Sequence, residues 1–575
     1  MKRFEVWAPR ARRVQLVTRE GRTPLRRASG GWFRSDLPLE GELDYAFSLD
    51  GGEPLPDPRS RWQPEGVFGF SRTCESRPQE SSGFEAVSLR RAVFYELHVG
   101  TFTAAGTFRA TIERLDHLLA LGVTHVELMP VAAFSGEHGW GYDGVAPFAP
   151  HSAYGSPDDL RELVRACHTR GLAVVFDVVH NHVGPEGNFL PRFGPYFSER
   201  QHTRWGPAPN LDGPESDEVR RYFIDSALVW LREYEGDGLR LDAVHGLVDQ
   251  SPLHFLEELR GAVDSLSLAL GRPLFLIAES DANDPRLVRP ARDGGIGMDA
   301  AWNDDFHHAL HTYLTGERDG YYADFAGCAD VVESLARGFV YAGRYSPHRR
   351  RRHGRADRRL SGERLVGFAQ NHDQVGNRAR GDRLAGTLSP ERLMVAAGLV
   401  LTSPFIPLLF QGEEWGARTP FPFFCDYTDG ALREAVRSGR REALAASGKE
   451  CTDLLDPCAQ ATFVAAKLDW TELERPQHQR VFAWYQALLS LRRRLHALGS
   501  GPLLGADVRC SEKEGWISFR RGSLQFAAHI GSEVASIPVD RLAPPGVLLA
   551  SGAGHRLVEN RLELAADSFA VLAPL

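Results

Sequence analysis

Eight short, nearly continuous apolar runs, separated by amphipathic stretches of helix length, restrict the folds open to this chain more than any other feature. They read VFYELHV, VTHVELMP, AVVFDVV, GLRLDAV, LFLIAES, GMDAAW, LVGFAQN and FIPLLFQG, in that order between Val93 and Gly412. A run without polar alternation is how a strand buried on both faces looks, and such strands belong to parallel sheets whose crossovers are helices. Segments such as Ser156 to Arg170 and Pro252 to Val263 carry the amphipathic pattern of those crossovers. Eight such strands with eight crossovers predict an α/β fold, a (β/α)8 TIM barrel. A doubly wound sheet is the competing architecture, but no GxGxxG fingerprint follows any of the runs.

At 575 residues the chain exceeds one compact domain. Residues 1 to about 90 alternate apolar and polar residues in short runs such as FEVWAP and VQLV, the pattern of an N-terminal β-sandwich. Pro54 to Ser88, rich in Pro, Arg, Ser and Gly, reads as its loop-heavy exit. Residues 91–500 would hold the barrel, with one long interruption after the third strand, at about 180–215, shaping the cleft. Gln477 to Leu498 has helical spacing and closes the barrel, and 501–575 returns to short strands, predicting a C-terminal β-sandwich.

Hydrophobic residues at 43% and charged residues at 25% exclude wholesale disorder. No apolar run reaches bilayer length, so no membrane partner is expected. MKRFEVWAPRARRV lacks the apolar stretch of a secretory signal, which predicts a cytoplasmic protein. The seven cysteines, at 74, 167, 328, 425, 451, 458 and 510, are scattered and lack metal-ligand spacing, as expected of free thiols. A net charge of -8 argues against a nucleic-acid partner. The one basic block, RYSPHRRRRHGRADRR from Arg344 to Arg359, reads as a solvated loop between two barrel elements, the alternative being contact with a phosphate backbone or an acidic surface.

Catalytic groups of such barrels come from the C-terminal ends of the strands. Asp242 closes GLRLD and Glu279 closes LFLIAE after a single helix-sized crossover, so the two sit on neighbouring strands about 4.8 Å apart. That spacing suits the roughly 5 to 5.5 Å between the carboxyls of a retaining glycosidase. Asp242 would be the nucleophile, kept ionised by Arg240 on the same strand face. Glu279, leaving an apolar strand, would stay protonated as general acid and then serve as base. Asp373, in AQNHDQ at the end of the seventh strand, would stabilise the oxocarbenium-like transition state. His182 and His372 could donate to sugar hydroxyls. Asp177 could merely orient loops at the rim. Trp140, Tyr142 and Trp205 can be read equally as core aromatics or as sugar platforms. Each carboxylate alone could be a helix cap or an ion-pair partner; the joint pattern is what points to chemistry.

DVVHNH, GLRLDAVH, the Glu of LIAES and NHD stand in order along the barrel and resemble the four signature regions of the α-amylase family of glycoside hydrolases. FEVWAPRARRVQLV is similar to the immunoglobulin-like, glucan-binding type of sandwich that precedes the barrel in some members. HNHVGPEGNFL, RLDAVHGLVDQSP, IAESDANDPRLV, WNDDFHHALH and QNHDQVGNRARGDRL resemble the subgroup that hydrolyses maltooligosyl trehalose beside its terminal trehalose. The resemblance implies Asp242 as nucleophile, Glu279 as proton donor and Asp373 as stabiliser. It implies substrate contacts at Arg240, Leu241, Ala243, Val244 and His245, at Asn303, Asp304, Asp305, Phe306 and His307, and at His372, Gln374, Val375, Gly376 and Asn377, which join His182, Tyr142 and Trp140. His180 departs from the pattern, since a Tyr is commoner there, and the Arg-rich 349–359 belongs to no signature. The expected partners are maltooligosyl trehalose and malto-oligosaccharides, the expected state is monomer or homodimer, and the chemistry requires no cofactor or metal. A glycogen branching enzyme, which transfers rather than hydrolyses, is the rival. A non-catalytic glucan-binding protein on the same barrel would be expected to lack one of the carboxylates.

Overall fold

The computed structural model describes residues 3–38, 41–74, 83–446, 454–540 and 545–574. All eight runs form strands: β1 (Phe94–Leu97), β2 (His125–Leu128), β3 (Ala173–Val178), β4 (Gly238–Leu241), β5 (Phe275–Ala278), β6 (Ala300–Trp302), β7 (Leu365–Gly367) and β8 (Ile406–Phe410). They pair in parallel in that order, and β8 closes onto β1. Side chains alternate between two surroundings. Phe94, Val175, Ile277, Trp302, Val366 and Leu408 pack together in a small cluster of their own. Their neighbours Tyr95, Val174, Leu239, Leu241 and Leu276 join the main core with the helices. Leu241 thus belongs to the helix-facing set and Arg240, one residue earlier, to the interior set. Asp242 and Glu279, one residue beyond β4 and β5, continue the interior set.

The helix predicted over 156–170 spans Pro157–Thr169, opened by Ser156, whose hydroxyl accepts from Asp159 N while Asp159 reciprocates. The helix predicted from Pro252 begins later and runs longer, at Phe255–Leu270. His254 caps it by accepting from Leu256 N, and Gly271, at φ 67°, ends it. Helix Pro476–Arg494 closes the barrel.

The interruption after β3 contains a short helix, Leu190–Phe193, and a hairpin of Phe197–Thr203 with Gly206–Pro209. It is not the only one. Between β6 and β7 the chain builds α1 (Asp304–Thr315), α2 (Cys328–Arg337) and a small hairpin pairing Tyr345–Ser346 with Arg351–Arg352. Beyond β7 it builds α3 (His372–Gly376), and after β8 a long excursion holds α4 (Gly430–Ala446). Their helices α2 and α4 are amphipathic like the barrel's own crossovers, so periodicity alone does not tell the two apart.

The front of the chain forms two antiparallel sheets. Phe4 and Val6 are buried while Glu5 between them is exposed. Trp7 of this unit meets Tyr196 of the β3 excursion edge-on, ring centroids 5.3 Å apart, which braces the cleft wall. The C-terminal strands form a five-stranded and a three-stranded sheet. They dock where helix Pro390–Thr402 offers Gly398: a Cβ there would stand 2.5 Å from the Phe569 ring. No helix among the described residues is long and apolar enough to cross a membrane. The six described cysteines are free, Cys451 lying outside the described residues. They are not all scattered in space, since Cys425 and Cys458 place their sulfurs 3.4 Å apart and Cys328 lies beside Cys510.

Candidate active site

The strand ends surround an open cleft of about 860 Å³. Asp242, Glu279 and Asp373 all line it. The first two stand side by side because Leu241 of β4 is in register with Ala278 of β5. Their backbones are tied together: Glu279 N donates to Leu241 O at 2.9 Å and Val244 N to Glu279 O at 3.0 Å.

Arg240 organises the site. It is fully buried, and its Nη1 donates to both oxygens of Asp177 at 2.9 Å and to Asp242 Oδ1 at 2.8 Å, while Nη2 lies 3.7 Å from Glu279 Oε2. Its guanidinium sits 4.2 Å over the Trp302 ring. Asn181 Nδ2 donates to the other oxygen of Asp242 at 2.8 Å, so both oxygens of Asp242 are held. Asp177 also accepts from Tyr142 Oη at 2.6 Å; burial pushes its pKa up to about 6 although Arg240 opposes the shift. Asp177 therefore positions Arg240, and the rim role read from sequence is a role one layer below the cleft.

Glu279 is in a different environment. Burial raises its pKa well above the ordinary carboxyl range, Asp242 and Asp373 adding to the effect and Arg240 opposing it. Ala243 N donates to its Oε2 at 2.5 Å, made possible by a left-handed Ala243 backbone with φ 38°. That conformation is costly for a residue with a Cβ, and the surrounding site holds it in place.

Asp373 sits on α3, past the end of β7, with its side chain 44% exposed. Asn371 caps α3 by accepting from Asp373 N and Gln374 N. The next residue back, His372, is buried. Its Nδ1 lies 2.5 Å from Glu96 Oε1, its backbone N donates to Glu96 Oε2 at 3.0 Å, and its Nε2 is 3.7 Å from Asp373 Oδ1. Burial disfavours the imidazolium, but Glu96 and Asp373 prevail and set its pKa at about 9. Glu96, from the end of β1, thus holds a cation beside Asp373. No sequence motif marks Glu96, although the parity of β1 places it in the interior set.

Replacing Glu96 by Gln tests that pair through stability. A histidine raised from 6.5 to about 9 adds stability that is complete below 6.5 and lost as pH rises through 9. The parent should therefore exceed Glu96→Gln by about 3 kcal/mol near pH 6, and the gap in unfolding free energy should close towards pH 10. A gap that stays constant or widens with pH would refute the ion pair.

Of the other expected contacts, Ala243, His245, Asp304, His372, Gln374, Asn377, His182, Tyr142 and Trp140 line the cleft. Leu241, Val244, Asn303, Asp305, Phe306, His307, Val375 and Gly376 do not. Leu241, Val244 and Phe306 pack in the core. Asn303 caps α1 by accepting from Phe306 N, Asp305 accepts from the backbones of Val340 and Tyr341, and His307 is engaged by Ala369 O and Tyr322 Oη. Gly376 serves packing: a Cβ there would meet Trp140 Cζ2 at 1.9 Å, so α3 can approach the tryptophan only without a side chain. The two nitrogens of His182 meet Asn181 Oδ1 at 2.5 Å and Tyr142 O at 3.0 Å. Trp205 lies parallel to its ring at 5.0 Å. Trp205 is half exposed and suits a sugar platform, whereas Trp140, 5% exposed with Nε1 bonded to Pro422 O, is mainly core. His180 is buried against Phe223 and Phe255, and burial depresses its pKa to about 4.

Three cleft arginines, Arg204, Arg349 and Arg440, were not anticipated. Arg349 leaves the basic block, whose remainder is largely a solvated hairpin, and donates to Asp281 Oδ2 at 2.9 Å. Arg440 on α4 donates to Asn377 Oδ1 at 2.7 Å and Gly376 O at 2.8 Å, clamping the turn that carries Asp373.

The alpha-amylase catalytic-domain family matches residues 83–194. A solved structure from Salmonella typhimurium, provisionally assigned as an alpha amylase, superposes with a TM-score of 0.90 at 38% identity, covering 99% of this chain and 97% of that one. A 1,4-alpha-glucan branching enzyme of Corynebacterium jeikeium is 29% identical over 72% of this chain but only 60% of its own length. The malto-oligosyltrehalose trehalohydrolase of Arthrobacter ramosus is 49% identical over 545 residues, 93% of this chain and 94% of the relative. With that identity running from the front sandwich through the barrel, the chain belongs to the malto-oligosyltrehalose trehalohydrolase family of α-amylase-type glycoside hydrolases.

Proposed function

We propose that the enzyme hydrolyses the α-1,4-glucosidic bond next to the terminal trehalose of maltooligosyl trehalose, with retention, using Asp242 as nucleophile, Glu279 as acid and base, and Asp373 as stabiliser. The observation that carries the chemistry is the pairing of Asp242 and Glu279 on adjacent strands, with Arg240 beneath both. Asp242 attacks C1 of the sugar that ends the malto-oligosaccharide while Glu279 gives its proton to the departing oxygen, so the C1–O4 bond breaks and trehalose leaves. Glu279, now a carboxylate, takes a proton from water, which attacks C1 and frees the malto-oligosaccharide. Asp373 faces the positive charge that develops at the ring in both steps. The trehalose specificity rests on full-length similarity to relatives of that name.

Incubation with maltooligosyl trehalose should release free trehalose, and amylose should not gain branches. Branched glucan without trehalose would give the case to the rival transferase. We further assign the sandwich, barrel and C-terminal units to about 1–90, 91–500 and 501–575, and a cytoplasmic monomer or homodimer without nucleic-acid partners. The net charge of -8 and the absence, among the described residues, of a helix fit to cross a membrane support that reading.

A further inference from the structure

The thiol pair remote from the cleft has a third donor. Cys328 is the first residue of α2, Cys510 lies on strand Val508–Ser511 of the C-terminal sheets, and Glu512 follows that strand. One ligand atom from each lies within 4.8 Å of the other two. A tetrahedral zinc ion, with Zn–S of about 2.3 Å and Zn–O of about 2.0–2.2 Å, needs donors about 3.5–3.8 Å apart. The three donors thus need only small rotations to converge on one ion. We propose that Cys328, Cys510 and Glu512 bind a thiophilic divalent cation of the zinc type, which clips the excursion between β6 and β7 to the C-terminal sheets.

Donor chemistry selects the ion. Two sulfurs and one carboxylate suit a borderline-soft metal, whereas calcium and magnesium call for shells of oxygen. Ala329 N donates to Glu512 Oε1 at 2.7 Å, holding the carboxylate over the helix end and leaving Oε2 to the ion. Glu512 is exposed and Cys510 partly so, which gives water the fourth position. Binding releases two thiol protons to solvent and forms two metal–sulfur bonds without oxidation. The other pair, Cys425 and Cys458, has no such third donor among the described residues.

The test uses reduced full-length protein loaded with zinc, freed of excess by gel filtration and assayed for metal by atomic emission. Wild type and a Cys425→Ser/Cys458→Ser control should retain one equivalent, and Cys328→Ser/Cys510→Ser none. Cadmium in place of zinc should give a thiolate-to-metal charge-transfer band that the second variant lacks. Glu512→Gln, on the surface and harmless to folding, should weaken zinc binding by about tenfold or more. The proposal is overturned if reduced wild type retains no zinc, if retention follows Cys425 and Cys458 instead, or if Glu512→Gln leaves the affinity unchanged.

Discussion

Asp242→Ala is expected to lower kcat by a factor on the order of 10⁴ to 10⁶, the range found when the attacking group of a concerted catalytic set is removed. Loss of rate alone would not separate a nucleophile from a binding residue, so the stronger evidence is stereochemical. In Asp242→Ala the vacated β face above C1 admits azide, which should attack there in place of the carboxylate and yield a β-glycosyl azide. In Glu279→Gln, given an α-maltooligosyl fluoride whose fluoride leaves without a proton, the glycosyl ester still forms, and azide, attacking from the opposite face without need of a base, should yield the α-glycosyl azide. The opposite product configurations, read by proton NMR of the anomeric signals, would assign the two roles independently of any rate. Turnover near wild type in Asp242→Ala, or the same anomer from both variants, would remove Asp242 from the mechanism.

The barrel was legible because strand burial on both faces leaves an unmistakable trace in sequence, and because all eight runs carry it. Asp242 and Glu279 were legible for the same reason: they end two such runs joined by one crossover, and strand register alone brings them together. Asp373 was read at the end of the seventh strand, but it stands on α3, which begins five residues beyond β7, so its role leaned on the signature. The remaining cleft depends on contacts that no local pattern encodes. Glu96 meets His372 across the barrel closure, and Arg440 reaches Asn377 from an excursion that sequence reasoning did not see. Reading whole segments as contacts also overreached. Along 240–245 and 303–307 the backbone alternates or turns, so side chains of one segment divide between cleft, core and caps, and Leu241 and Phe306 fall in the core while Asp242 and Asp304 face the cleft.

Arg240→Met should damage both fold and catalysis, because one buried guanidinium compensates three carboxylates. Methionine can fill much of the same space but leaves Asp177, Asp242 and Glu279 facing one another without a cation, and removing one partner of a buried ion pair costs about 3–5 kcal/mol. The pH dependence identifies the cause. Even with Arg240 present, burial raises Asp177 from 3.8 to about 6, so its charge costs nothing below 3.8 and lowers stability as pH rises through 6. Without the guanidinium that pKa moves higher still, and the stability gap between wild type and Arg240→Met should widen from pH 4.5 to pH 8. Catalysis should fall by about 10² to 10³ in kcat through the loss of fixed positive charge beneath the reacting carboxylates. Adding Asp177→Asn to Arg240→Met removes a buried charge and should recover part of the stability with little of the activity. Denaturant unfolding at the two pH values, together with kcat for the single and double variants, decides the matter: a gap independent of pH, or recovery of activity along with stability, would show that Arg240 acts by packing alone.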